Sequence, residues 1–355
     1  MLSKGTLFSL LISASLSAAL PTTLNISDPS RGPIPSETNY YSSYRGKSAP
    51  FPANYTHPIH PTARGPPGPD DQLFQNLLAA EWAIYTFYQQ AIERLNVTSF
   101  TTLGFPNTTY TRLLEIRDNE AGHLRIFQDS ISATSLKPGH CRYDYGWSTA
   151  AEFLALQILI EVSSMAFAAG LVQQANMNVT KGALMAIGET ETRHATWALC
   201  EVWGVSPFAG PIDTSFPYAN LILDSTNRFV VKDSCPIANP EYPFPSLKLP
   251  QLEVLGAIVP GKDVVFGYEK SSTGSEVPDF EEGNNYYAVF FHGVEVVSVP
   301  FDVATKSAIF PVNLELKGLI LVVIADEVDA ATETSVVAGP AYILEQPAIL
   351  AASDV

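Results

Sequence analysis

Basic residues are scarce. Twenty Lys and Arg against 36 Asp and Glu leave a formal charge of −16, and no cluster of cations interleaved with aromatics interrupts it. Such a surface repels phosphate backbones, so no nucleic acid is expected as a partner. Cysteine is nearly absent as well, with three in 355 residues, and Cys141, Cys200 and Cys235 lack zinc-site spacing. The apolar run nearest the start, Leu7 to Ile12, is short and broken by serines. It falls well below the roughly 20 residues of a spanning helix, so no transmembrane anchor is expected there. Pro347 to Val355 likewise lacks the apolar tail of a lipid-anchor signal.

What is present begins with a leader. Lys4, the apolar run and the small residues Ser17, Ala18 and Ala19 read as a secretory signal peptide over residues 1–19. Asn-x-Ser/Thr sequons follow at Asn25, Asn54, Asn96, Asn107 and Asn178 and are expected to be glycosylated, which agrees with a secreted, extracellular protein. In an oxidising compartment three thiols allow one disulfide. Cys200 lies on a helix and reads as core, whereas Cys141 and Cys235 sit in irregular stretches, so these two are expected to pair. Residues 20–70 hold eleven of the 27 prolines without apolar periodicity, which makes them an extended or disordered arm.

From Asp71 the pattern becomes helical. Phe74, Leu78, Glu81, Tyr85, Tyr88 and Ile92 form the stripe of a first helix, and Leu113, Ile116, Glu120, His123 and Phe127 that of a second, after a cap among Asn107 to Thr109. A third runs from about Ser148 to Asn176 with Leu154, Ile158, Glu161 and Met165 inward, and a fourth from about Thr180 to Trp203 with Leu184, Ile187, Glu191 and His194 in phase. Together they make a four-helix bundle over 71–206.

Four of those inward positions are acidic. With 36 acids in 355 residues and six histidines, about 0.6 His would follow an acid by three positions through chance alone, so two Glu-x-x-His pairs mean little by count. Their phase means more, because both members of each pair fall where composition would put Leu or Ile. A buried carboxylate costs several kcal/mol unless protons, partners or cations compensate it. Glu, Glu-x-x-His, Glu, Glu-x-x-His on four successive helices is the ligand order of a dinuclear metal site, here Glu81, Glu120, His123, Glu161, Glu191 and His194. The alternative is a buried polar network with Arg112, Arg125 or Arg193. Carboxylates and imidazoles without thiolates suit two Fe or Mn ions. Tyr85 and Tyr88 lie one and two turns beyond Glu81 and are candidate outer partners of the ligands.

Residues 207–250 are again rich in Pro, Asn and Ser and read as an irregular linker. Beyond them the period falls to two, in seven short runs between Leu252 and Leu344, which predicts a small β-sandwich over 251–355. His292-Gly293 reads as a hairpin turn. The expected fold is therefore α+β and multidomain.

The segments Leu78 to Tyr88, Ile116 to Phe127, Phe153 to Gly170 and Ile187 to Trp197 resemble the secreted ferritin-like family of fungal stress-response and plant desiccation-related proteins. Ser234-Cys235-Pro236, Asn239-Pro240 and Ala338-Gly339-Pro340 look like its fungal branch. The resemblance implies a ferritin-like bundle carrying the carboxylates, a β-rich extension and a role in stress. One departure is Ile84, where many members carry a second Glu. The expected activity is turnover of oxygen or peroxide at the metal pair. The rival expectation is a non-catalytic metal-binding or cell-wall protein on the same scaffold.

Overall fold

The computed structural model describes residues 56–208, 214–269 and 277–344. The leader 1–19, most of the arm 20–70, and sequons Asn25 and Asn54 lie outside these residues.

Four long helices form the first unit: α1 (Asp71–Arg94), α3 (Thr109–Ser130), α4 (Ala150–Gln174) and α5 (Asn178–Trp197). A short α2 (Val97–Thr101) lies between the first two. Local chemistry sets their ends. Thr149 and Glu152 form a reciprocal capping box at the start of α4, and Asn96 and Ser99 do the same for α2. The helix after Thr180 starts two residues earlier than its periodicity suggests, and its last turn loosens into a π-turn, Ala198–Val202, before Gly204 at φ 65° stops it. Cys200 lies on that turn and is exposed, correcting its reading as core. The α4 helix is long and apolar enough to cross a membrane, yet most of it is buried inside the bundle.

Two adjacent acids tie three helix ends together at the base of the bundle. Asp70 accepts hydrogen bonds from the backbone N–H groups of Asn176 and Met177, at 2.8 and 3.0 Å, just before α5. Asp71 accepts from the N–H of Gly68 at 2.7 Å and of Ser132 at 2.9 Å, the latter just beyond α3. Cys141 and Cys235 are joined by a disulfide across 94 residues of sequence.

The linker crosses the bundle through α6 (Ala219–Thr226) and a 3₁₀ turn at Asn227–Phe229. Phe216 enters so tightly beside α4 that a Cβ on Gly170 would lie 1.9 Å from its carbonyl oxygen.

The second unit holds β1 (Gln251–Leu255), β2 (Asp263–Glu269), β3 (Tyr286–His292), β4 (Glu295–Asp302), β5 (Ser307–Ile309), β6 (Leu319–Ala325) and β7 (Val336–Leu344). The strands do not divide into the two stacked sheets of a sandwich. They form one antiparallel sheet in the order β1-β2-β5-β4-β3-β6-β7, curled until β7 approaches the start of β1, where the Gly339 N–H donates to the Pro250 carbonyl at 2.9 Å. The unit is nearly a barrel. A register shift in β7 beside Gly339 helps the curl, and that glycine sits at φ 117° with its missing Cβ only 3.0 Å from the Val322 carbonyl. The β3–β4 turn falls at Gly293, and His292 bonds through Nε2 to the Lys317 carbonyl at 2.8 Å, a structural role.

Strand β6 is buried on both faces. Ile320, Val322 and Ile324 join Phe266, Phe290 and Phe310 inside the barrel. Leu319, Leu321, Val323 and Ala325 join the core that continues into the helices. That double burial explains its unbroken apolar run.

Candidate metal centre

Each long helix delivers its inward acid to one point. Glu81 comes from α1, Glu120 and His123 from α3, Glu161 from α4, and Glu191 and His194 from α5. None is more than 5% exposed.

The two imidazoles organise the cluster. Nδ1 of His123 faces Glu120 Oε2 at 2.9 Å, Glu191 Oε1 at 3.2 Å and Glu81 Oε1 at 3.6 Å. Nδ1 of His194 faces Glu120 Oε1 at 3.1 Å, Glu161 Oε2 at 3.3 Å and Glu191 Oε2 at 3.5 Å. Glu120 and Glu191 therefore each turn one oxygen toward each histidine, while Glu81 and Glu161 each serve one side. The arrangement has an approximate twofold character that follows from repeating Glu-x-x-His on two helices.

The pairing with arginine does not account for these carboxylates. Arg112 engages Glu115, and Arg193 donates to Thr190 Oγ1 at 3.0 Å. Instead the oxygens crowd around two ring nitrogens. A single Nδ1–H cannot satisfy three acceptors, and Oε1 of Glu81, Oε1 of Glu120 and Oε2 of Glu191 are buried without a hydrogen-bond donor. Three carboxyl oxygens without a donor in a dry core are what cations would compensate. Two groups of ligand atoms, one from Glu120, Glu161, Glu191 and His194 and one from Glu81, Glu120 and His123, each lie within 4.8 Å of one another. Six N and O donors without sulfur fit two hard or borderline divalent ions.

Burial pushes the Glu81 carboxyl well above the usual range and the Glu120 charge adds to it, against the attraction of His123. Burial likewise pushes Glu161 up to about 8, although His194 opposes the rise. Burial also acts on Glu120 and Glu191, but the two imidazoles outweigh it and hold both below the ordinary value. The carboxylates in turn overcome the effect of burial on His123 and His194 and raise both.

Outer partners orient the cluster. His194 Nε2 lies 3.0 Å from Asn119 Oδ1, an acceptor that holds the proton on Nε2 and leaves Nδ1 for the centre. Tyr88 donates to Glu161 Oε1 and accepts from Gln157 Nε2 at 3.0 Å. Tyr85 turns elsewhere, with its hydroxyl 3.5 Å from Gln89 Oε1. Asn119 and Gln157 were not anticipated, although Gln157 gave a signal: it is the one amide between Phe153 and Glu161, a turn before the ligand. The sequons at Asn96, Asn107 and Asn178 stand at exposed positions near helix starts.

Residues 69–200 match the family described as Ferritin-like domain. No curated protein matches the chain. The helical unit is thus a ferritin-like domain, followed by an antiparallel seven-stranded domain outside that match.

Proposed function

We propose that this chain is an exported protein whose ferritin-like domain holds a dinuclear iron or manganese centre acting on oxygen or peroxide, with a role in stress. The observation that carries the reading is the shared orientation of Glu120 and Glu191, each offering one oxygen to each histidine. Support for export comes from the leader-like residues 1–19, the sequons and the Cys141–Cys235 disulfide. A cell-wall setting fits the same route.

Glu81 with His123, and Glu161 with His194, would hold the ions together with Glu120 and Glu191. When bound, such ions supply one-electron chemistry and open positions for a small oxidant. The chain's own residues do the rest. Asn119 keeps the His194 proton on Nε2, and Tyr88, whose hydroxyl burial keeps protonated well past the usual range, holds a proton against Glu161. Phe127 packs beside His123, and Leu78 and Phe87 are buried in the same core. Only small molecules reach so enclosed a site, which favours oxygen or peroxide over larger substrates. The same enclosure favours a second reading, a metal-binding scaffold without turnover.

Metal analysis of the natively secreted protein tests both, beside a Glu120→Ala/Glu191→Ala variant. The expected content is about two iron or manganese per chain, lost in the variant. Peroxide or oxygen consumption by the loaded protein then selects the first reading, and its absence selects the second. Metal-free protein that stays metal-free when offered either ion ends both.

A further inference from the structure

A second site lies on the outside of the bundle, where α1 and α4 meet the linker. Ala80, Ala83 and Ile84 of α1 and Leu159, Ile160 and Ser163 of α4 form the floor of a cavity of about 60 Å³. Its roof is Ile222 and Phe229, and Tyr342 of β7 closes one side. Two alanines on α1 make the hollow, since larger side chains there would fill it. A water needs roughly 10 to 15 Å³ of such space, so the cavity takes a body of roughly four to six heavy atoms.

Polar groups at the rim are nearly all committed. Ser225 Oγ donates to the Ile222 carbonyl at 2.6 Å, so the Tyr342 hydroxyl at 2.9 Å donates to Ser225. Thr226 Oγ1 donates to the Leu223 carbonyl at 2.7 Å. Asp224, the neighbouring acid, is held by Ser246 Oγ at 2.8 Å and the Leu247 N–H at 3.2 Å. Two donors remain. Arg228 lines the rim, is exposed, lies 4.9 Å over the Phe229 ring and has no ion-pair partner among the described residues. Ser163 lines the floor, and its buried hydroxyl has no hydrogen-bond partner among them.

We propose that this cavity binds a small organic carboxylic acid, with the carboxylate on the Arg228 guanidinium and the apolar body against Ile84, Leu159 and Ile160. A guanidinium presents two parallel N–H groups that match a planar carboxylate. A phosphate would call for further donors, and the rim hydroxyls have already used theirs. The Ser163 hydroxyl, unpartnered in an apolar floor, adds a donor for a second polar atom on the ligand. This site is separate from the metal centre and does not depend on it.

The test uses benzoate and hexanoate as probes and benzamide and hexanamide as uncharged counterparts, on the full secreted chain, by saturation-transfer NMR and calorimetry. The expected result is that each acid binds at least about tenfold more tightly than its amide, a difference of about 1.4 kcal/mol. Arg228→Gln, a change at an exposed position, should erase that preference, and Ala83→Leu should weaken acid and amide together by filling the floor. Both metal-loaded and chelator-treated protein should give the same affinities. Equal binding of acid and amide, a preference that survives Arg228→Gln, or acid binding confined to metal-loaded protein each overturns the assignment. So does the absence of binding by either acid.

Discussion

Four protons separate the two neutral states of the buried cluster. Without cations, the directions of the shifts leave Glu120 and Glu191 ionised, Glu81 and Glu161 protonated, and both histidines charged. Two negative and two positive charges then sum to zero. With two divalent cations, four carboxylates and two neutral imidazoles again sum to zero, and the four protons have left. Loading chelator-treated protein near pH 7 with Mn(II) in weak buffer should therefore release about four protons per two ions. Affinity should fall as pH drops, because protons and cations compete for the same atoms. Release near zero in a pH-stat titration would contradict this charge assignment. At this scale the buried cluster of four Glu and two His was legible because each acid interrupts an apolar stripe, which leaves a mark in one dimension. Asn119 and Tyr85 show where that logic stops. Asn119 reaches His194 from a neighbouring helix, a contact set by helix rotation, while Tyr85 shares the stripe of Tyr88 yet turns toward Gln89.

Among the elements, α2 and α4 carry their own capping boxes, while α5 is held by a tertiary contact. The α5 helix has no side-chain cap of its own and takes Asp70 from the far end of the chain segment that starts α1. Burial raises the Asp70 carboxyl, but hydrogen bonds from Thr180, Asn176 and Met177 outweigh it and hold the group below its ordinary value. Stability from such a group is present above the unfolded value of about 3.9 and is lost as pH falls through the folded one. Asp70→Asn should lower stability at pH 7 by about 1 to 2 kcal/mol, and the gap from the natural protein should close below about pH 4. Urea melts at several pH values measure both. Gly170 tests packing between elements. Alanine is the better helix former by about 1 kcal/mol, yet its Cβ would strike the Phe216 backbone. Gly170→Ala should cost about 3 kcal/mol of unfolding free energy, read from a lowered denaturant midpoint, and a neutral outcome would mean the linker yields. Helix positions were readable from period and caps; the approach of Phe216 was not, because a glycine in a helix does not announce its partner.

At the scale of the molecule, the sheet packs onto the helices and the disulfide ties the linker back to them. Cys141–Cys235 closes a loop that contains α4, α5 and α6. Reducing it should remove about 2 to 5 kcal/mol, read as a fall in thermal midpoint that a Cys200→Ser variant does not reproduce. The alternation of seven short strands was legible. Their closure into one sheet was not, because a sandwich and a barrel share the same inward and outward rhythm and differ in which edges meet. Strand β6 makes the larger point. Its odd-numbered residues answer to the helices and its even-numbered ones to the barrel. The β-domain is therefore no detachable accessory. Grafted onto another scaffold, it would present Leu319, Leu321 and Val323 to water as a sticky seam, so the two halves must be inherited, and altered, together.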